Sequence, residues 1–285
     1  PLGVAVMCAA SALPQTPRKA ILIDFVSIAL NCLVCGLFIF AIQIALSAPL
    51  KSAVLMLAAL LALLKLVRRE APKATPLIPL DLLRSGSFSA SVVASICCFS
   101  GLSAGLIALP FYMQRGLNLS ATVSALYMIA WPLGVAAAAT IAGRLASHTY
   151  TAKICVAGGA VLALSLAAAA LWPLHGDPRT LAMFTIAGGA GFGFFQTANN
   201  RNMFLSAPRD RSAAAGGMQG TARVSGQTMG ALLAGAVFAA TPIATAPQTT
   251  LAWGALCVLA AAAASAFRMT TVAKESNAPL TSLAG

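Results

Sequence analysis

The charged residues of this 285-residue chain stand far apart, and the gaps between them limit its fold more than any motif does. Thirty uncharged residues separate Arg84 from Arg115, 28 separate Arg115 from Arg144, 23 separate Lys153 from Asp177, and 21 separate Arg179 from Arg201. A helix rising 1.5 Å per residue needs about 20 residues to cross about 30 Å of hydrocarbon. Each gap is long enough. A run of 44 uncharged residues from Arg223 to Arg268 is broken by Pro242 and Pro247, so it divides into two crossings joined by a tight turn. Only 8% of the residues are charged and 59% are hydrophobic. A soluble domain carries about 25% charge, so this inventory cannot cover a water-exposed surface.

Upstream, residues 25–46 form a further span, and residues 52–64 a short one whose flanking Lys51 and Lys65 can snorkel to the interfaces. The apolar stretches are continuous and rich in Ala and Leu without period-2 alternation, which favours helices over barrel strands. Residues 1–13 are apolar but too short to cross, and read as the tail of a truncated transmembrane helix. A signal peptide would need its basic residues first, whereas Arg18 and Lys19 follow the stretch.

Numbering the helix ends alternately sorts the 18 basic residues 15 to 3, with Lys51, Arg115 and Arg179 alone on the poor side. By the positive-inside rule the rich side is cytoplasmic, which predicts a multi-pass protein of the cell inner (plasma) membrane with a cytoplasmic tail at 269–285. The same distribution accounts for the formal charge of +12. Basic residues placed singly at helix ends carry topology, and with no aromatic-interleaved basic stripe the sequence predicts no nucleic-acid partner.

All seven cysteines lie in apolar stretches, and Cys32-Leu-Val-Cys35 has neither a second pair nor a nearby His, so these read as small core residues. His148 and His175 fall in predicted loops. No catalytic constellation, nucleotide loop, cofactor motif or metal cluster is present in the sequence.

Two helices are not simply apolar. In the first, residues 186–203, Gly189, Gln196, Asn199, Asn200 and Met203 fall on one face at 100° per residue. The second, from about Ser212 to Thr241, aligns Gly216, Gln219, Arg223, Gly226, Gln227, Gly230 and Ala234. Gly226 and Gly230 have the small-residue spacing that lets a neighbouring helix approach closely, and Gly216 extends that packing stripe. Polar stripes in hydrocarbon face protein or a water-filled cavity. Arg223, Gln196, Asn199, Asn200 and Gln227 are therefore candidates for a substrate path or gate, and Arg223 is expected to have a partner. The bland alternatives are snorkelling for Arg223 and interhelical hydrogen bonds for the amides. Tyr112, Gln114, Tyr127 and Trp131 are further candidates, against a role as interfacial anchors.

The order of these features resembles the C-terminal part of the fourteen-helix drug:proton antiporters of the major facilitator superfamily. The resemblance is carried by Pro1-Leu2-Gly3, Asp24 opening a helix, Pro79-Leu80-Asp81-Leu82-Leu83-Arg84, Leu109-Pro110-Phe111-Tyr112-Met113-Gln114, the glycine-rich run from 188 ending in Asn199-Asn200, and Gly216-Gly217 followed by Arg223, Gly226 and Gly230. It implies an all-α fold with two linker helices within 21–67 and a six-helix bundle over 86–268. That bundle would comprise two inverted three-helix repeats rocking against a missing N-terminal bundle.

The resemblance also implies membrane lipid as surroundings, a small-molecule substrate and protons as the coupling ion. One departure stands at Gly143-Arg144-Leu145-Ala146-Ser147-His148, where the superfamily has Gly-x-Leu-x-Asp-Arg. No acidic residue lies deep in a predicted span, so a proton-carrying carboxylate is expected in the missing half. The competing expectation is a non-transporting scaffold or sensor derived from a transporter half.

Overall fold

The structure, a computed structural model, describes residues 24–45, 47–70, 80–145, 151–173, 176–208 and 211–276. The expected helix tail at 1–13, the loops carrying His148 and His175, and residues 277–285 lie outside the described residues.

Helices α1 (Phe25–Gln43) and α2 (Pro49–Glu70) form a hairpin. Asp24 opens α1 by accepting hydrogen bonds from the backbone N–H groups of Val26 and Ser27, and Pro49 starts α2 where a missing N–H costs nothing. The hairpin is pinned at both ends. Near the start of α1, the Ser27 hydroxyl donates to the buried Glu70 carboxylate and Arg69 pairs with Asp24 at 3.3 Å. At the other end Ser52 donates to the Ala41 carbonyl at 2.7 Å. Lys51 and Lys65 lie within α2, so the short span expected over 52–64 is the middle of a 22-residue helix. Cys32 and Cys35 are exposed on α1 rather than packed in a core, because one face of a two-helix hairpin suffices for pairing and the rest of α1 is left open.

A short turn of helix, α3 (Leu80–Leu83), leads into α4 (Gly86–Phe111), whose last turn widens into a π-turn at Tyr112–Gly116 just after Pro110. The next span is two pieces, α5 (Ala121–Met128) and α6 (Ala130–Leu145). The break falls at Ile129, upstream of Pro132, which cannot donate back to residue 128. Ser120 caps α5 from a backbone that Asn118 turns through φ 52°, a left-handed conformation that Asn tolerates. Then follow α7 (Thr151–Leu171), α8 (Pro178–Leu205), capped by Asp177, α9 (Ser212–Ala240) and α10 (Ala246–Ser276).

Among the described residues there is no strand, and six spans are long and apolar enough to cross a membrane: Pro49–Glu70, Gly86–Gly116, Ala121–Leu145, Thr151–Leu171, Pro178–Leu205 and Ala246–Phe267. Their outer faces expose Leu60, Leu133, Leu164 and Leu171, the last at 85%, a surface that only hydrocarbon solvates without penalty. The chain is an all-α integral membrane protein. The 29-residue α9 stands apart from the six, because Gln219, Arg223, Gln227 and its glycines dilute its apolar content.

From α4 to α10 the packing has an internal regularity. Helix α4 packs against α10 and α9, α8 packs against α7 and α6, and α7 meets α10. Exchanging the set α4, α5–α6, α7 with the set α8, α9, α10 maps the contacts of α4 onto those of α8 and the α7–α10 contact onto itself. The glycines follow the same exchange. On α4, Gly101 meets the Gly254 carbonyl of α10, and on α8, Gly191 meets the Gly158 carbonyl of α7, each too close to admit a side chain. Likewise Gly226 of α9 rests on the Ile96 carbonyl of α4, and Gly134 of α6 on the Ile186 carbonyl of α8. The two sets enter the bundle from opposite ends.

Candidate functional site

The candidate residues divide into those whose polar groups are used in packing and those whose groups are not. Tyr112 belongs to the first class. It is fully buried, and the π-turn aims its hydroxyl to donate to the Trp172 carbonyl at 2.6 Å and the Pro173 carbonyl at 3.1 Å, joining α4 to the end of α7. Gln248 of α10 donates to the same Trp172 carbonyl at 2.9 Å. Asn199 is 1% exposed, and its amide nitrogen donates to Ser95 Oγ at 2.7 Å and the Ser91 carbonyl at 3.0 Å, both on α4. From α7, Cys155 directs its thiol at Asn199 Oδ1 at 4.0 Å, and its sulfur lies 3.3 Å from the Ser265 hydroxyl of α10. One polar joint thus ties α4, α7, α8 and α10 together.

Residues 189–203 of α8 meet more than one neighbouring helix. Gly189 lies against the Trp131 backbone of α6, while Asn199 turns to α4. Trp131 itself is buried against Phe192. Gln196 and Asn200 are partly buried and make no hydrogen bond among the described residues. On α9, Gly226 and Gly230 meet the backbone of α4 at Ile96 and Ser100, whereas Gly216 stands 3.8 Å from the Phe204 ring, an ordinary contact. Tyr127 is partly buried beside the main core, and Gln114 is exposed in the π-turn.

Arg223 and Gln227 are exposed, one helical turn apart on α9, and neither makes a hydrogen bond or ion pair among the described residues. The partner expected for Arg223 is not found there. An unpaired Arg deep in a membrane helix costs about 2.5–3.5 kcal/mol. Gln219 on the same helix likewise makes no hydrogen bond among the described residues. Buried nitrogens without acceptors also occur on α8, at Arg201 Nε and Asn202 Nδ2.

Sequence reasoning passed over Ser91, Ser95, Cys155 and Ser265, although the Ser-x-x-x-Ser spacing on α4 places both serines on one helix face. It also passed over a crevice between α1 and α9. Among the described residues no group of three His, Cys, Asp or Glu side chains gathers to hold a metal. The unspent groups are hydrogen-bond donors and acceptors carried on α8 and α9.

No protein-family model matches the chain. Over 240 residues it is 35% identical to the uncharacterized transporter YebQ of Escherichia coli (strain K12), an alignment covering 82% of this chain and 52% of that protein. Over 165 residues it is 27% identical to the riboflavin transporter RibZ of Clostridioides difficile (strain 630), covering 58% of this chain and 36% of the other. The chain therefore spans about half of the first relative's length and about a third of the second's.

Proposed function

We propose that the chain is the C-terminal part of a proton-coupled secondary transporter, one that exports drugs or other small molecules by alternating access in the manner of the fourteen-helix antiporters of the major facilitator superfamily. The observation that carries this reading is the exchange relation among α4 to α10. Two three-helix units, entering from opposite ends and packed through matched glycine contacts, are the architecture of inverted-repeat transporters. The similarity to two proteins named as transporters supports it.

In this reading α8 and α9 present Gln196, Asn200, Arg223 and Gln227 to a path shared with a further bundle. Helices α1 and α2 are the linker, and Asn199 and Tyr112 hold the wall behind the path. Among the described residues of the spans, Glu70 at the end of α2 is the sole carboxylate, so the proton carrier belongs to the further bundle.

The test is transport by the longer gene product in proteoliposomes. Under an imposed pH gradient, substrate accumulation that collapses with a protonophore is expected. Accumulation indifferent to the gradient would remove the coupling, and a product that moves no solute under any gradient would favour a scaffold or sensor.

A further inference from the structure

The span Ala121–Leu145 is held unevenly along its length. Its second piece, α6, meets α8 through backbone: Gly134 lies against the Ile186 carbonyl, and Gly189 and Gly193 of α8 lie against the carbonyls of Trp131 and Val135. Trp131, Gly134, Ala138 and Ala142 form the buried stripe of α6. The first piece, α5, has no glycine to allow such an approach and packs only lightly on α4 and α8. Of its eight residues Ser124 alone is buried, and five are exposed.

The change from tight to loose falls at the break in the backbone. Pro132 has no N–H to donate to the Met128 carbonyl, the Ile129 N–H turns back to the Leu126 carbonyl at 3.2 Å, and the bond from Leu133 to the Ile129 carbonyl is stretched to 3.4 Å. A helix bends most easily where Pro removes a rung of its ladder. At its other end α5 joins α4 through the π-turn and the left-handed Asn118, with no continuous helix to stiffen it.

Ser124 makes the packed position imperfect. Its side chain is 1% exposed, and its Oγ has no hydrogen-bond partner. A buried hydroxyl without a partner disfavours the state that buries it. Ser124 is the fourth residue of α5, roughly 6 Å from the end of the span, so interfacial water is within reach once α5 leaves the bundle.

We propose that α5 is a hinged flap, pivoting about Ile129–Pro132 between the packed position and one turned away from α4 and α8 while α6 stays fixed to α8. The motion opens the end of the bundle that carries Tyr112 and Trp172, and it requires neither substrate nor a proton. It is a movement within one bundle, distinct from the rocking of one bundle against another.

Double electron–electron resonance on the 285-residue chain in nanodiscs tests it. Nitroxides are attached through a keto amino acid, which leaves the native cysteines untouched, at Met183 of α8 and at either Leu126 of α5 or Leu133 of α6, all three exposed. The Leu126–Met183 pair is expected to give two populations and the Leu133–Met183 pair one narrow distance. Ser124→Ala removes the unpartnered hydroxyl and is expected to shift the Leu126–Met183 populations about ten-fold toward the packed distance. Pro132→Ala restores a donor for the Met128 carbonyl and is expected to leave a single Leu126–Met183 distance, with Leu133–Met183 unchanged as the sign that α6 keeps its seat. Ser124→Ala, which leaves the backbone alone, decides the matter if Pro132→Ala displaces α6.

One narrow distance in both pairs, two populations in both pairs, or an unshifted distribution in Ser124→Ala overturns the inference. So does a Pro132→Ala protein with α6 in place that retains both positions of α5.

Discussion

Asn199 on α8 and Ser95 on α4 are joined by a hydrogen bond of 2.7 Å, in a joint where neither side chain reaches solvent. The same amide also donates to the Ser91 carbonyl, so removing it loses two interhelical hydrogen bonds in a low-dielectric interior. Asn199→Leu is expected to lower unfolding free energy by about 1–2 kcal/mol, the upper part of the range for interhelical bonds in membranes. Gln227→Leu, which removes no bond among the described residues, is expected to stay within about 0.5 kcal/mol of the parent. Denaturant titration in mixed micelles separates the two, and equal effects would remove the distinction between spent and unspent polar groups.

The glycines allow a second contrast within one helix. A methyl group on Gly230 would collide with the Ser100 carbonyl and stand 2.8 Å from Ser103 Cβ, whereas one on Gly235 would meet nothing within 4 Å. Both substitutions carry the same gain in helix propensity, up to about 1 kcal/mol. Gly230→Ala is expected to lose about 1–3 kcal/mol through separation of α9 from α4, and Gly235→Ala to be neutral or stabilising. Thermal unfolding in detergent reads both. A stable Gly230→Ala protein would mean that the helices are not in backbone contact there.

What the sequence made visible follows from how each feature is encoded. Uncharged runs act over about 20 residues at a time, so the spans of α4, α7 and α8 were legible from Arg84, Lys153 and Arg179 alone. Gly226 and Gly230 were legible as a packing edge because the requirement for close approach is local to one helix. Which residues meet across helices is not local. Asn199 looked like Gln196 and Asn200 on a helical wheel, and only the arrival of Ser95 from 104 residues away separates them. Tyr112 looked like an interface anchor or a cavity wall until the π-turn after Pro110 aimed it at Trp172. The crevice was invisible for the same reason, since its two walls lie on helices distant in the chain.

Tyr112 and Gln248 share one acceptor, and that makes their energies interdependent. Both donate to the Trp172 carbonyl, Tyr112 from α4 and Gln248 from α10. With either donor lost the carbonyl keeps the other. Tyr112→Phe and Gln248→Leu are each expected to cost about 1 kcal/mol, and the double variant to cost more than the sum by about 0.5–1 kcal/mol, because only then is the carbonyl bare. A double-mutant cycle on unfolding free energies measures this coupling, and strict additivity would show that the Pro173 carbonyl is the dominant acceptor for Tyr112.

The orientation of the bundle is the last prediction, and it joins sequence to structure most directly. Fifteen of the 18 basic residues sort to one set of helix ends. The structure supplies contacts within that set: Ser87 at the start of α4 meets Ser206 after α8 at 3.0 Å, and Arg211 before α9 pairs with Asp81 of α3 at 2.8 Å. The opposite ends are likewise tied, through Tyr112, Trp172 and Gln248. These contacts gather the Ser87 and Arg211 ends on one side of the bundle, and the positive-inside rule predicts that this side faces the cytoplasm. Green fluorescent protein fused after Gly285 is expected to fluoresce, whereas alkaline phosphatase fused there is expected to be inactive and phosphatase inserted between Gly176 and Asp177 active. The reverse pattern would invert the bundle and move Arg223 from the cytoplasmic half of α9 to the outer half, where a solute arriving from outside would meet it first.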